Sequence, residues 1–287
     1  MIHLRYVIAL GGNSFTETGI RAASREVARL HALGNQVVVT HGNGPQVGAL
    51  YITKGGNLSA LTRETGISLG MQLKERIEEE ARKGSVEVIP TKVIVSKSDP
   101  EFSNPTKPIG LFYKTPDAVP GRSDRFNVKK MVGGYRLVVP SPKPLKILET
   151  SKVGKCLTSG KIAIAAGGGG SAVFKDKHRY TPANAVIDKD LASARLAIGL
   201  SADFLAILTK VRFAYTDFGT RHQKPIFGIG ISRAQALLEK GVFEAGSMGP
   251  KMEACIDFSR SCRKPSIIGS MNSAKSAIAM RETVIRP

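Results

Sequence analysis

Two lysines in this chain stand where phosphate chemistry would use them. Lys189 is flanked by carboxylates in Asp188-Lys189-Asp190, and Lys251 follows Pro250 in Gly246-Ser247-Met248-Gly249-Pro250-Lys251. Proline favours the first turn of a helix, so an anion there would meet an ammonium and the positive end of a helix dipole together. From the residues alone the acidic triplet reads in two ways, as charged catalytic machinery or as a solvated helix start whose carboxylates favour the N-terminal turn. Glycine-rich turns accompany these lysines. Gly11-Gly12-Asn13-Ser14 and His41-Gly42-Asn43-Gly44-Pro45-Gln46 each follow an apolar run, where glycine permits positive φ and close backbone approach to an anion. The same turns also fit plain chain reversal. Gly167-Gly168-Gly169-Gly170 is the stronger sign, because four consecutive glycines surrender much conformational entropy and point to a site that needs bare backbone. No Ser-His-Asp or Cys-His order is evident, and His41 reads as a structural histidine.

These residues need elements to hold them. Short apolar runs alternate with helical stretches, the pattern of βαβ units and a mostly parallel sheet, so the expected class is α/β. The first unit runs from Tyr6-Val7-Ile8-Ala9-Leu10 through a helix between Ile20 and Leu33, a C-cap at Gly34-Asn35, and a strand Gln36-Val37-Val38-Val39. Further strands are expected at 86–89, 93–95, 162–165, 205–208 and 266–268. Ligands of open α/β sheets sit beyond the carboxyl ends of the strands, where the glycine turns lie. From Lys97 to Pro144 prolines crowd in, which excludes a long helix or a central strand. An inserted, hairpin-like lobe is expected there.

Composition bounds the function. The chain has 287 residues, 42% of them hydrophobic, enough for an ordinary globular core. Its longest apolar stretches fall well short of the ~20 residues that span a bilayer, and no secretory signal pattern precedes Gly11-Gly12. A cytoplasmic protein without a membrane partner is expected. Cys156, Cys255 and Cys262 lack metal-ligand spacing and read as packing residues. Lys+Arg 42 against Asp+Glu 23 gives a net charge of +19, a field that draws polyanions and nucleotides. The basic residues are spread along the chain with no nucleic-acid-binding motif, so no nucleic-acid partner is expected.

Six segments, taken in order, resemble the carbamate kinases of the amino-acid-kinase family over essentially the whole chain. They are Ala9 to Asn13, Thr40 to Gly48, Asn104-Pro105-Thr106-Lys107-Pro108-Ile109-Gly110, Val138 to Pro144, Val186 to Asp190 and Ala245 to Lys251. The resemblance implies an open three-layer αβα sandwich with a mostly parallel central sheet and a small protruding subdomain. It implies one domain over 1–287, with an inserted lid at 97–137, and a homodimer. The implied reaction is reversible phosphoryl transfer between ATP and carbamate, with carbamoyl phosphate and ADP on the other side, Mg²⁺ carried by the nucleotide and no resident metal site. Another acyl-phosphate or phosphate-monoester kinase of the superfamily is the alternative.

Carried over by position, Gly11, Gly12 and Asn13 would meet the transferring phosphoryl group and Gly42, Asn43 and Gly44 the carbamate. Lys189 and Lys251 would neutralise charge along the reaction axis and Asp190 would orient them. Lys107 would be a third lysine reaching the site when the lobe closes. Gly168, Thr209, Lys210, Tyr215, Met248 and Gly249 fall in segments assigned to the nucleotide. At one of these the chain departs from the family, with Thr209-Lys210-Val211 in place of Thr-Asp-Val.

Overall fold

Strand and helix alternate at the start of the computed structural model, which describes residues 3–11, 16–119, 127–131, 133–177, 179–244 and 246–287. The first unit is β1 (Arg5–Leu10), α1 (Glu17–Ala32) and β2 (Gln36–His41). The Thr16 hydroxyl caps α1 by accepting the Gly19 N–H, and Gly34 ends it at φ 83°, where a side chain would be strained. Then come α2 (Gly44–Lys54), α3 (Leu58–Glu80), β3 (Val86–Ile89) and β4 (Lys92–Val95). The chain next builds a three-stranded antiparallel sheet from β5 (Lys107–Tyr113), β6 (Asn127–Met131) and β7 (Gly134–Val139), with β7 in the middle. It continues through β8 (Lys146–Ile147), α4 (Thr150–Thr158), β9 (Ile162–Ala165), β10 (Ser171–Asp176) and β11 (Arg179–Val186). The last third holds α5 (Lys189–Gly199), β12 (Phe204–Thr209), β13 (Ala214–Thr216), β14 (Lys224–Ile226) and β15 (Gly228–Gly230). It ends with α6 (Ile231–Glu239), α7 (Met248–Cys262), β16 (Ser266–Ser270), α8 (Ala274–Ile278) and β17 (Thr283–Arg286).

The central sheet runs β15-β17-β16-β12-β1-β2-β9-β3, and only the β16–β17 pair is antiparallel. Its inner strands are covered on both faces, so they read as continuous apolar runs. On β1, Val7 and Ala9 join the core built with α4, α5 and α7, whereas Ile8 and Leu10 join the core beneath α1, α3 and α8. The result is the α/β, three-layer sandwich anticipated above. Cys156 and Cys255 are buried in it as free thiols, and burial pushes them up to about 11 and about 12. No helix among the described residues is long and apolar enough to cross a membrane.

The proline-rich excursion is a sheet, but its limits differ from 97–137. The three strands span 107–139, so the expected end cuts through β7. Residues before 107 pack on the body instead: the Phe102 ring lies 5.3 Å from that of Phe174 on β10, and the Lys97 ammonium 5.9 Å from the same ring. Pro108 sits at the start of edge strand β5 and Pro140 follows β7, so the prolines mark strand ends without breaking the sheet. β5 crosses α2 at a glycine contact. A Cβ on Gly48 would stand 2.1 Å from the Gly110 nitrogen, which fixes the sheet against the helix that follows the Gly42-Asn43-Gly44 turn.

Candidate active site

Three lysines from three separate elements converge on two aspartates in the first turn of α5. Asp188 caps that helix, its Oδ1 accepting the N–H groups of Asp190 at 2.8 Å and Leu191 at 3.4 Å. Its other oxygen, Oδ2, accepts from the ammonium of Lys107, the first residue of β5. Asp190 divides its carboxylate between the other two lysines, with Oδ1 accepting from Lys189 and Oδ2 from Lys251 Nζ at 3.0 Å. Lys251 lies in the first turn of α7 and also donates to the Ser247 carbonyl at 3.2 Å. The Lys189 and Lys251 side chains are only 11% and 13% exposed, and both aspartates are buried. Three ammonium groups against two carboxylates leave one unit of positive charge facing whatever binds here.

Burial and pairing pull the proton affinities apart. Burial opposes ionisation of Asp188, yet the Lys107 charge and hydrogen bond, helped by Lys251 and Lys189, hold its carboxyl well below the usual range. Burial likewise works against Asp190, and the Lys189 and Lys251 charges overcome it. For Lys189 burial wins and lowers its affinity despite Asp190, whereas Lys251 gains more from Asp190 and Asp188 than burial removes and is raised. Both sit against the same carboxylate. Asp188 pulls on both as well; they differ in that the Lys251 charge pushes Lys189 down.

The glycine turns surround this cluster, but they use their backbone differently from the expected anion nests. The Gly11 N–H donates to the Leu208 carbonyl at 2.9 Å and that of Gly42 to Leu10 at 3.2 Å. These are the last rungs of the parallel ladder, so neither N–H is left for a phosphate. Gly12, Asn13 and Ala245 lie outside the described residues. Gly44 opens α2, whose first N–H groups have no partner within the helix. Asn43 is buried and donates its Nδ2 to Thr65 Oγ1 at 2.7 Å and to the Thr62 carbonyl at 3.5 Å, tying the turn to α3.

The four-glycine run has a packing reason for its bare backbone. A Cβ on Gly167 would stand 2.8 Å from His41 Nε2, on Gly168 2.3 Å from Asn43 Nδ2, and on Gly169 2.5 Å from the Ile187 carbonyl. Gly168, Gly169 and Gly170 all have positive φ. The run thus clamps the β2 turn against the residue preceding Asp188, and so sets where the aspartates start.

The nucleotide-assigned residues fall on separate elements. Thr209 ends β12, Lys210 is exposed, and Tyr215 on β13 packs its ring on those of Phe213 and Phe218 at 6.2 and 5.7 Å. Met248 opens α7, and the Gly249 N–H bonds the Glu244 carbonyl at 2.8 Å. Among the described residues no hydrogen bond or ion pair joins Thr209, Lys210 or Tyr215 to the lysine–aspartate cluster. Asp188 is the participant that the sequence reading did not single out. Its place in the acidic triplet was the available sign, and it fills both roles weighed there, helix cap and lysine partner.

His41 is fully buried, with Nδ1 3.2 Å from the Gly42 carbonyl, and burial lowers it from 6.5 to about 4. An unfolded histidine takes its proton at a higher pH than this one, so His41 contributes stability that is complete above about 6.5. That stability is lost as pH falls toward 4, by about 3 kcal/mol. Urea unfolding between pH 7 and pH 4 should show this slope, and His41→Gln should flatten it.

Among the described residues no three His, Cys, Asp or Glu side chains gather as a metal centre requires. The two carboxylates of the cluster are committed to ammonium groups.

The parallel sandwich with lysines and helix N-termini at its carboxyl edge defines the class. The amino acid kinase family model matches residues 5–270, and the chain belongs to that family. Its full-length relatives are narrower in kind. The carbamate kinase of Clostridium perfringens is 38% identical, covering 96% of this chain and 97% of that protein, and the one of Pyrococcus horikoshii is 36% identical over 96% of each. A carbamate kinase from Giardia lamblia bound to AMP-PNP superposes with a TM-score of 0.85 at 31% identity, covering 99% of this chain and 98% of the other. Within the amino acid kinases the chain belongs with the carbamate kinases.

Proposed function

We propose that this protein is a carbamate kinase that moves a phosphoryl group reversibly between carbamoyl phosphate and an adenine nucleotide. The cluster of Lys107, Lys189 and Lys251 on Asp188 and Asp190 carries this reading. In the ATP-forming direction an oxygen of the ADP β-phosphate attacks the carbamoyl phosphate phosphorus. The bond from phosphorus to the carbamoyl oxygen breaks, and carbamate leaves with the electron pair. The transition state is loose and spreads charge over the phosphoryl oxygens, so positioning and electrostatic stabilisation do most of the work. Lys189 and Lys251 supply that charge along the axis, Asp190 fixes both, and Lys107 adds a third cation. In the reverse direction carbamate already carries an anionic oxygen, so no general base is needed.

Gly42, Asn43 and Gly44 then face carbamate, and Gly11, Gly12 and Asn13 the phosphoryl group, with Gly11 and Gly42 contributing close backbone approach because their N–H groups are bonded to the sheet. Gly168, Thr209, Lys210, Tyr215, Met248 and Gly249 serve the nucleotide. The AMP-PNP complex of the Giardia lamblia relative supports a nucleotide co-substrate. Mg²⁺ enters as part of that substrate, held by phosphates and water. A cytoplasmic homodimer acting on small molecules completes the reading, with the β5–β7 sheet as a lid; the Lys107–Asp188 ion pair at its root supports that role.

Purified protein given carbamoyl phosphate and MgADP should make ATP and should require the divalent ion. Turnover with another acyl phosphate or a phosphate monoester, and none with carbamoyl phosphate, would transfer the assignment to a different kinase of the family.

A further inference from the structure

Lys107 opens an edge strand, and the α2 contact that holds this strand lies farther along it, at Gly110. The place of Lys107 is set at the root of the β5–β7 sheet, where the chain enters through 99–106 and leaves through 140–143. One carboxylate joins these two crossings. Glu101 Oε1 accepts the Thr106 hydroxyl at 2.6 Å, and its Oε2 accepts the N–H groups of Thr106 at 3.1 Å and Ser141 at 3.0 Å. Thr106 immediately precedes Lys107, and Ser141 lies two residues beyond Val139, the strand partner of Lys107. Asp99 reinforces the join, accepting the Glu101 N–H at 3.0 Å and that of Lys143 at 2.9 Å. Lys143 in turn reaches Glu253 at 2.7 Å, on the helix that carries Lys251.

We propose that Glu101 is a positioning residue for the transfer site: by clasping Thr106 and Ser141 across the root of the β5–β7 sheet, its carboxylate sets where the Lys107 ammonium stands. The inference rests on the reading of Lys107 as a cation that meets the transferring group. A lysine side chain is long and flexible, so the precision of its ammonium depends on how firmly its backbone is held. Hydrogen bonds to an ionised acceptor are roughly twice as strong as neutral ones, and Glu101 takes three. Misplacing a catalytic group by ~1 Å can cost about 10²-fold in rate. Loosening the root is a smaller displacement, for which about 10-fold is expected.

The test is a thermodynamic cycle on the full-length protein, read as ATP formed from carbamoyl phosphate and MgADP. Glu101→Ala should lower kcat about 10-fold with KM for ADP within about twofold, and should have no further effect in a Lys107→Ala background. Glu101→Gln should stay within about threefold of the parent, because its amide oxygen can take both N–H groups and its NH₂ can donate to the Thr106 hydroxyl. Thr106→Val removes only the hydroxyl leg, which protects the test should Glu101→Ala fold poorly. It should lower kcat less, and again only when Lys107 is present. Equal losses with and without Lys107, unchanged kcat in Glu101→Ala, or a Gln variant as slow as the Ala variant would each overturn the inference. A parent protein that makes no ATP refutes the proposed function, whereas an active parent that is indifferent to Lys107→Ala refutes the positioning role alone.

Discussion

Lys251→Ala and Lys189→Ala should each lower kcat by about 10²-fold or more, the scale of losing one preorganised transition-state donor from a site that excludes water. Both ammonium groups are almost fully buried, and each is held by a separate oxygen of Asp190, so neither can be replaced by a neighbouring side chain that swings in. KM for ADP should change far less than kcat if the cations act mainly on charge that develops during transfer. Folding should survive, because Asp190 keeps one lysine in either variant and Asp188 keeps Lys107. Steady-state kinetics with carbamoyl phosphate and MgADP, beside thermal unfolding, would check both parts. Near-normal turnover in Lys251→Ala would remove that lysine from the mechanism.

The mostly parallel α/β sheet is legible in the sequence because its signals are local, whereas the three-layer sandwich came from the resemblance. Runs such as Val37-Val38-Val39 are apolar on both faces, helix ends are punctuated by Gly34, and glycine turns fall at strand ends. The cluster was only half legible. Asp190 and Lys189 are chain neighbours, but Lys251 lies 61 residues from Asp190 and Lys107 lies 81 from Asp188, and no spacing rule joins such positions. Lys251 stands out beside Pro250 but not as a partner of Asp190; resemblance supplied that pairing and Lys107, and it did not supply Asp188 as a partner. For the four glycines the entropy cost was visible in the sequence and the packing reason was not. That reason is the close approach of His41, Asn43 and Ile187, which only the assembled fold brings together. The insert was misplaced for a related cause: proline shows where a ladder cannot continue, but not that 97–102 would pack on Phe174.

Asp190→Asn should keep the fold and yet reshape the pH dependence of activity, because it removes the one carboxylate shared by Lys189 and Lys251. Burial already lowers the proton affinity of Lys189 below the ordinary 10.5, and the charge on Lys251 lowers it further; Asp190 is the main opposing influence. Neutralising that carboxylate leaves the two lysines to repel each other in a buried site, with Asp188 the remaining anion near them. The alkaline limb of the kcat profile should therefore move to lower pH than in the parent, and kcat at neutral pH should fall by about 10- to 100-fold. Stability should drop by roughly 3 kcal/mol at neutral pH, as when one member of a buried ionic set is removed. The sign of its pH response follows from the same shift. With the folded-state affinity of Lys189 depressed below the unfolded value, the unfolded chain holds more protons between the two, so the variant should gain stability as pH rises through that window. Paired kcat and unfolding profiles from pH 6 to about 10 would decide it. An alkaline limb that coincides with the parent's would mean that Asp190 holds the lysines in place without governing their protons.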